Sequence, residues 1–67
     1  MINGKKIREL REARGISVSE FARRVYITQP HASALEVGAR QASVDALTRI
    51  AKFFGCLVDD LIMDETT

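Results

Sequence analysis

The stretch ITQPHASALEVG, residues 27–38, gathers the side chains best suited to recognition chemistry in this 67-residue chain. Gln29 carries an amide donor beside a carbonyl acceptor, Ser33 a hydroxyl, and His31 the only imidazole. A donor and an acceptor at that separation can engage the N6 and N7 positions of adenine together, worth about 1–3 kcal/mol of discrimination. Pro30 and Ala34 can offer only apolar contact, of the kind a thymine methyl accepts. His31 can reach a phosphate or cover neighbouring apolar space. Other chemistries lack their parts. One histidine and one cysteine, Cys56, make no metal-ligand cluster and no disulfide framework. Cys56 lies among apolar residues and reads as a small buried hydrophobe. No nucleophile, base and orienting group converge by spacing. The chain is therefore not expected to be an enzyme, and no cofactor, metal or small-molecule ligand is implied.

Pro30 has to be reconciled with a helix, where an interior proline costs about 3 kcal/mol. Thr28 resolves the conflict as an N-cap, with Gln29 and Pro30 as the first two helical residues. The first-turn N–H groups have no intrahelical partner, so proline loses nothing there. On the helical wheel Ala32, Leu35 and Glu36 share one side, and Pro30, Ser33, Ala34 and Val37 the other. The second face is built of small residues, with Gln29 and His31 flanking its start. A narrow face of this kind can enter a DNA major groove.

Four further helices are expected to hold that one. Ile7 and Leu10 begin an apolar stripe over residues 3–14, with Asn3 as N-cap and Gly15 beyond the end. Ser17-Val18-Ser19-Glu20 has the form of a capping box and opens a helix over 18–25, with Phe21, Ala22 and Val25 on one face. The helix starting at Gln29 runs to 37, before Gly38. Ser43 caps a helix over 44–54 with Val44, Leu47, Ile50, Ala51 and Phe54 at helical spacing, and a short fifth helix covers 58–63. No segment alternates at period two, so no strand is expected. The fold class is all-α, one compact five-helix domain over 1–67 with short connections.

The charge is unevenly divided. Net charge is +1, but residues 1–40 carry eight Lys/Arg against four Asp/Glu, and residues 41–67 two against five. A basic half joined to an acidic half fits a polyanion-binding surface and a separate second face. With 46% hydrophobic and 28% charged residues, disorder is not expected. No apolar run approaches the ~18 residues of a membrane span, and MINGKKIREL lacks a signal-peptide core, so the expectation is a cytoplasmic, nucleoid-associated protein with no membrane partner.

The order of helix, turn and helix over residues 18–37, set within IRELREARGIS, SEFARRV, ITQPHASALEVG, SVDALTRIAKFFG and VDDL, resembles the Cro/λ-repressor-type helix-turn-helix family from Ile7 to Leu61. The resemblance implies double-stranded DNA as partner. It makes Gln29, Pro30, His31, Ser33 and Ala34 the base-reading residues. Val18 at the head of the second helix, Thr28 at the head of the third and Arg40 in the following loop are implied phosphate contacts, joined by Lys5 and Lys6. Arg11 and Glu36 match an ion pair joining the first and third helices. Four positions depart from the family pattern. Val18 replaces a common Gln, Tyr26 the turn Gly, Ala32 a larger aliphatic residue, and Ala42 a common Pro. A left-handed backbone is costly for Tyr26, so a reshaped or strained turn is expected. Ala32 leaves space for Tyr26, His31 or a shift of the third helix to fill.

A 67-residue domain is marginal alone, and pairing would help it. Phe53, Leu57, Ile62 and Met63 form the expected patch for a second subunit. The resulting reading is a homodimeric, sequence-specific transcriptional regulator, a repressor on a near-palindromic operator. With no room for a sensory domain, it would respond to its own concentration. Two alternatives stay open: an antitoxin that also binds a toxin through its acidic face, and an interaction module that has lost DNA binding.

Overall fold

The computed structural model describes residues 1–62, so Met63 lies outside the described residues. Four α-helices follow one another: α1 (Gly4–Ala13), α2 (Val18–Arg24), α3 (Gln29–Glu36) and α4 (Val44–Phe54). Each starts on the expected cap. The side chains of Asn3, Ser17, Thr28 and Ser43 accept the N–H of Lys6, Glu20, His31 and Ala46, satisfying one otherwise orphaned donor per helix. The capping box at Ser17 forms in one direction only. The Glu20 carboxylate turns forward to Arg24 (2.6 Å) and Arg23 instead of back to the Ser17 N–H. Those hydrogen bonds, Arg24 first, hold Glu20 below the usual carboxylate range.

The expected fifth α-helix is a single 3-10 turn, Val58–Leu61. Leu57 precedes it with no side-chain oxygen to cap a longer helix, and its own N–H goes to the Asp60 carboxylate at 3.0 Å. Ile62 is extended and forms an isolated antiparallel bridge with Ile2, and the Asn3 N–H donates to the Leu61 carbonyl at 2.7 Å. The extended backbone of Ile62, where it bridges Ile2, ends the helical turn at Leu61.

Ile7, Phe21, Leu35, Ile50 and Leu61 are fully enclosed, one or more from every element. Phe21 stacks on Phe54 at 5.5 Å between ring centroids, joining α2 to α4. Ala32 is buried on the inner side of α3 as the wheel requires. Val44, expected in the stripe of α4, is exposed, because it occupies the first turn beyond the edge of the core. Cys56 is half-buried against the core, not enclosed.

Two interactions between α1 and α3 set where the site lies. Arg11 donates from Nε and Nη2 to both Glu36 oxygens, at 2.7 and 3.1 Å, and from Nη1 to the Ile16 carbonyl at 2.9 Å. Both side chains are nearly buried. Hydrogen bonding to Glu36 raises the Arg11 pKa against the opposing effect of burial. At the head of α1, Gly4 lies so close to the end of α3 that a Cβ would fall 2.1 Å from the Leu35 carbonyl oxygen. Only glycine fits there.

Tyr26 keeps the left-handed turn, with φ +61°. The turn is strained and not reshaped, and Tyr26 points away from the space beside Ala32, since it is 81% exposed. Arg49 of α4 donates from Nε to the Val25 carbonyl at 2.8 Å and so pins the residue before the turn.

Removing Glu36 leaves the Arg11 guanidinium buried without its counter-charge, so Glu36→Ala should cost about 3 kcal/mol in urea unfolding; an unchanged midpoint would refute the clamp. Tyr26→Gly removes the left-handed penalty and should stabilise the fold by about 1 kcal/mol, a rise of about 4–8 °C in Tm. A lower Tm would show that the Tyr26 side chain itself supports the turn.

Candidate nucleic-acid interface

The exposed face of α3 begins with Thr28, Gln29 and Pro30, all open to solvent, and continues through Ser33 to Val37, which is 75% exposed. Ala34 is half-buried. The outward face is therefore narrow and unobstructed at its N-terminal end, because Ala32 and Leu35 turn inward and the Arg11–Glu36 pair holds the opposite end. His31 sits to one side. It is half-buried, with Nε2 3.5 Å from the Gln41 carbonyl oxygen of the loop after α3. That position flanks the face, as the wheel indicated.

One residue of the site was missed from the sequence. Ser19, the second residue of α2, donates its hydroxyl to the Gln29 Oε1 at 2.9 Å. The contact links the first turns of α2 and α3 and restricts the Gln29 carboxamide, whose NH2 group remains free to donate. The available signal was the pair of polar residues, ten apart, in the first turns of the two helices.

The cationic residues divide. Arg40, Lys5 and Lys6 are exposed, and none makes an ion pair among the described residues. Lys5 shares a cleft of about 270 Å³ with Val37, Gly38 and Gln41, which brings it beside the end of α3. Lys6 is not among the residues lining that cleft. Val18 packs its side chain against the core, leaving its backbone N–H as the group able to meet a phosphate. Thr28 already uses its hydroxyl oxygen to cap α3, yet keeps the hydroxyl proton to donate. Arg14 lies over the Phe53 ring at 4.8 Å and the Phe54 ring at 5.4 Å. Arg23 and Arg24 are tied to Glu20.

Of the patch expected for a second subunit, Leu57 is 70% and Ile62 39% exposed. Phe53 is half-buried and belongs partly to the core. Among the described residues no group of three or more His, Cys, Asp or Glu side chains is placed to hold a metal ion, and no helix is long and apolar enough to cross a membrane.

Comparison with known proteins agrees with this geometry. A helix-turn-helix family model matches residues 7–61. The chain is 35% identical over 57 residues to the HTH-type transcriptional regulator DdrOP3 of Deinococcus deserti, a match that covers 85% of this chain and 44% of DdrOP3. The chain thus spans less than half the length of that curated relative. Among solved structures it is similar to the restriction-modification controller protein C.AhdI from Aeromonas hydrophila, with a TM-score of 0.78 and 25% identity, covering 88% of this chain and 86% of that one. It is also similar to the clp gene regulator ClgR from Corynebacterium glutamicum, with a TM-score of 0.77 and 26% identity over 85% of this chain and 61% of that one. These relatives are regulators by name, not enzymes. With α2, the turn at Tyr26 and α3 in the order and spacing that the family requires, this chain belongs to the Cro/λ-repressor-type helix-turn-helix family of DNA-binding transcriptional regulators.

Proposed function

We propose that this protein is a sequence-specific regulator that represses transcription by occupying a near-palindromic operator as a homodimer. The observation that carries the reading is the exposed, narrow start of α3, held by a clamp at its far end and by Ser19 at Gln29. In this reading Gln29 and Ser33 hydrogen-bond base edges, Pro30 and Ala34 meet thymine methyls, and His31 reaches the flank of the groove. The Val18 N–H, Thr28, Arg40, Lys5 and Lys6 meet phosphates and fix the register. The names of DdrOP3, C.AhdI and ClgR, all regulators or controllers, support it.

Exposed Leu57 and Ile62, with the edge of Phe53 and with Met63 beyond the described residues, supply the surface for the second copy. A two-fold pair places two α3 helices about 34 Å apart, one turn of DNA. The work is done in the cytoplasm at the nucleoid, on double-stranded DNA, with no membrane or small-molecule partner.

Selection of bound duplexes from a randomised pool tests this directly. An enriched inverted repeat with half-site centres about ten base pairs apart is expected. No enrichment over the starting pool would overturn the reading. On the selected operator, Gln29→Ala should relax preference at one base pair of each half-site, by about 1–3 kcal/mol. Arg40→Ala should instead weaken all duplexes alike and lower the salt slope by about 0.9 for each phosphate no longer neutralised. Equal, sequence-independent losses from both variants would refute the division between base and phosphate contacts.

A further inference from the structure

A second surface lies where the end of α2 and the turn meet the last turns of α4. Arg24, Tyr26, Arg49, Lys52 and Phe53 line an open groove of about 320 Å³ there, with no acidic residue among them. The two arginines are already positioned. Arg24 is held by Glu20 at 2.6 Å, and Arg49 by the Val25 carbonyl and by Asp45. Lys52 is exposed and makes no ion pair among the described residues. Phe53 is fixed against Phe54 at 5.0 Å and Phe21 at 6.2 Å between centroids.

Tyr26 is the informative member. The other left-handed positions of the described chain, Gly15, Gly38 and Gly55, are all glycine. Here a bulky residue occupies that backbone region, yet its ring adds nothing to the core, being 81% exposed. A strained position that holds an exposed aromatic ring points to something the ring meets outside the fold. With the duplex at the Gln29 face, as proposed above, that partner is not the bound duplex. Ser19 marks the side of α2 that faces Gln29, and Arg24 lies about 140° round the helix from it.

We propose that this groove docks an acidic segment of another protein, one carrying an aromatic or large aliphatic side chain. The charge and the rings specify that chemistry together. Carboxylates meet Lys52 and the guanidinium N–H groups left unused by Glu20 and Asp45. The anchoring side chain lies against the Tyr26 ring; Phe53, whose ring Arg14 covers and whose edge the dimer reading uses, contributes only the lining beside it. Because the groove is turned away from the Gln29 face, DNA and the acidic segment can be held at once. The docking site goes beyond the regulatory reading and rests on it for one point, that DNA lies at the Gln29 face.

Fluorescence anisotropy with a short dye-labelled peptide of aspartates and glutamates around one phenylalanine tests the groove. Saturable, salt-sensitive binding is expected, weakened by about tenfold when the peptide phenylalanine becomes alanine. Tyr26→Gly and Lys52→Ala should each weaken it by about tenfold, with thermal melts confirming that both variants fold. Tyr26→Gly is the sharper variant, since it relieves the backbone while removing the ring. Its affinity for the selected operator should be unchanged. No saturable peptide binding, or binding indifferent to both substitutions, overturns the proposal. Loss of operator affinity in Tyr26→Gly would place the groove in the DNA surface and overturn it too. So would a labelled single-stranded oligonucleotide that binds more tightly than the peptide with the same sensitivity to Tyr26→Gly. Peptide binding by a chain that selects no duplex would leave the groove standing and refute only the repressor reading.

Discussion

The Arg11–Glu36 pair is the constraint on which the rest of the arrangement depends. It is bidentate, nearly buried, and extended by a third hydrogen bond from Arg11 to the Ile16 carbonyl. Such a pair adds little net stability over apolar side chains of similar volume, because desolvation offsets most of its Coulomb attraction. Its value here is geometric. Two fixed N–H···O contacts leave one orientation of α3 relative to α1, where apolar packing alone would accept several. Gly4 acts at the same place from the other side, allowing the backbone of α1 to approach the last carbonyls of α3 to within the space of a side chain. Both contacts grip the C-terminal end of α3. Its N-terminal end is left to project, and that end carries Gln29 and Pro30.

The turn before α3 answers to a different balance. Tyr26 holds a backbone conformation that costs a non-glycine residue about 1–2 kcal/mol, and the surroundings over-determine it. The Ile27 N–H returns to the Ala22 carbonyl at 3.0 Å, and Arg49 takes the Val25 carbonyl. Val25 itself is buried. With both neighbours fixed, the turn has no cheaper conformation available. The same hydrogen bonds that hold α3 at its angle therefore also set the ring of Tyr26 outward, over the groove formed with Arg24 and Phe53.

The pattern of caps and apolar spacings is legible in the sequence. Asn3, Ser17, Thr28 and Ser43 each start a helix, because an N-cap bond is local and spans three residues. Pro30 at the second helical position, the inward pair Ala32 and Leu35, and the partnership of Arg11 with Glu36 are all expected from residue type, wheel or family resemblance. The departures share a cause. The 3-10 turn at Val58–Leu61 is short because Ile62 is extended in its bridge to Ile2, about sixty positions away, while the Asn3 N–H takes the Leu61 carbonyl. Val44 has the right spacing for the core but lies past its edge. Arg14 has no direction until two phenylalanines of α4 give it a face to cover.

What the sequence determined by itself is whatever depends on neighbours within one or two turns: four helices, their caps, their inward faces and the small-residue surface of α3. Tertiary structure alone decided the long-range contacts that neither residue type nor resemblance named. Ser19 reaches Gln29, His31 approaches Gln41, Arg49 finds the Val25 carbonyl, and Gly4 admits the end of α3. These pairings lie 10 to 31 positions apart along the chain. At such separations the distance between two residues is set by how whole helices pack, and a local periodic pattern carries no information about it.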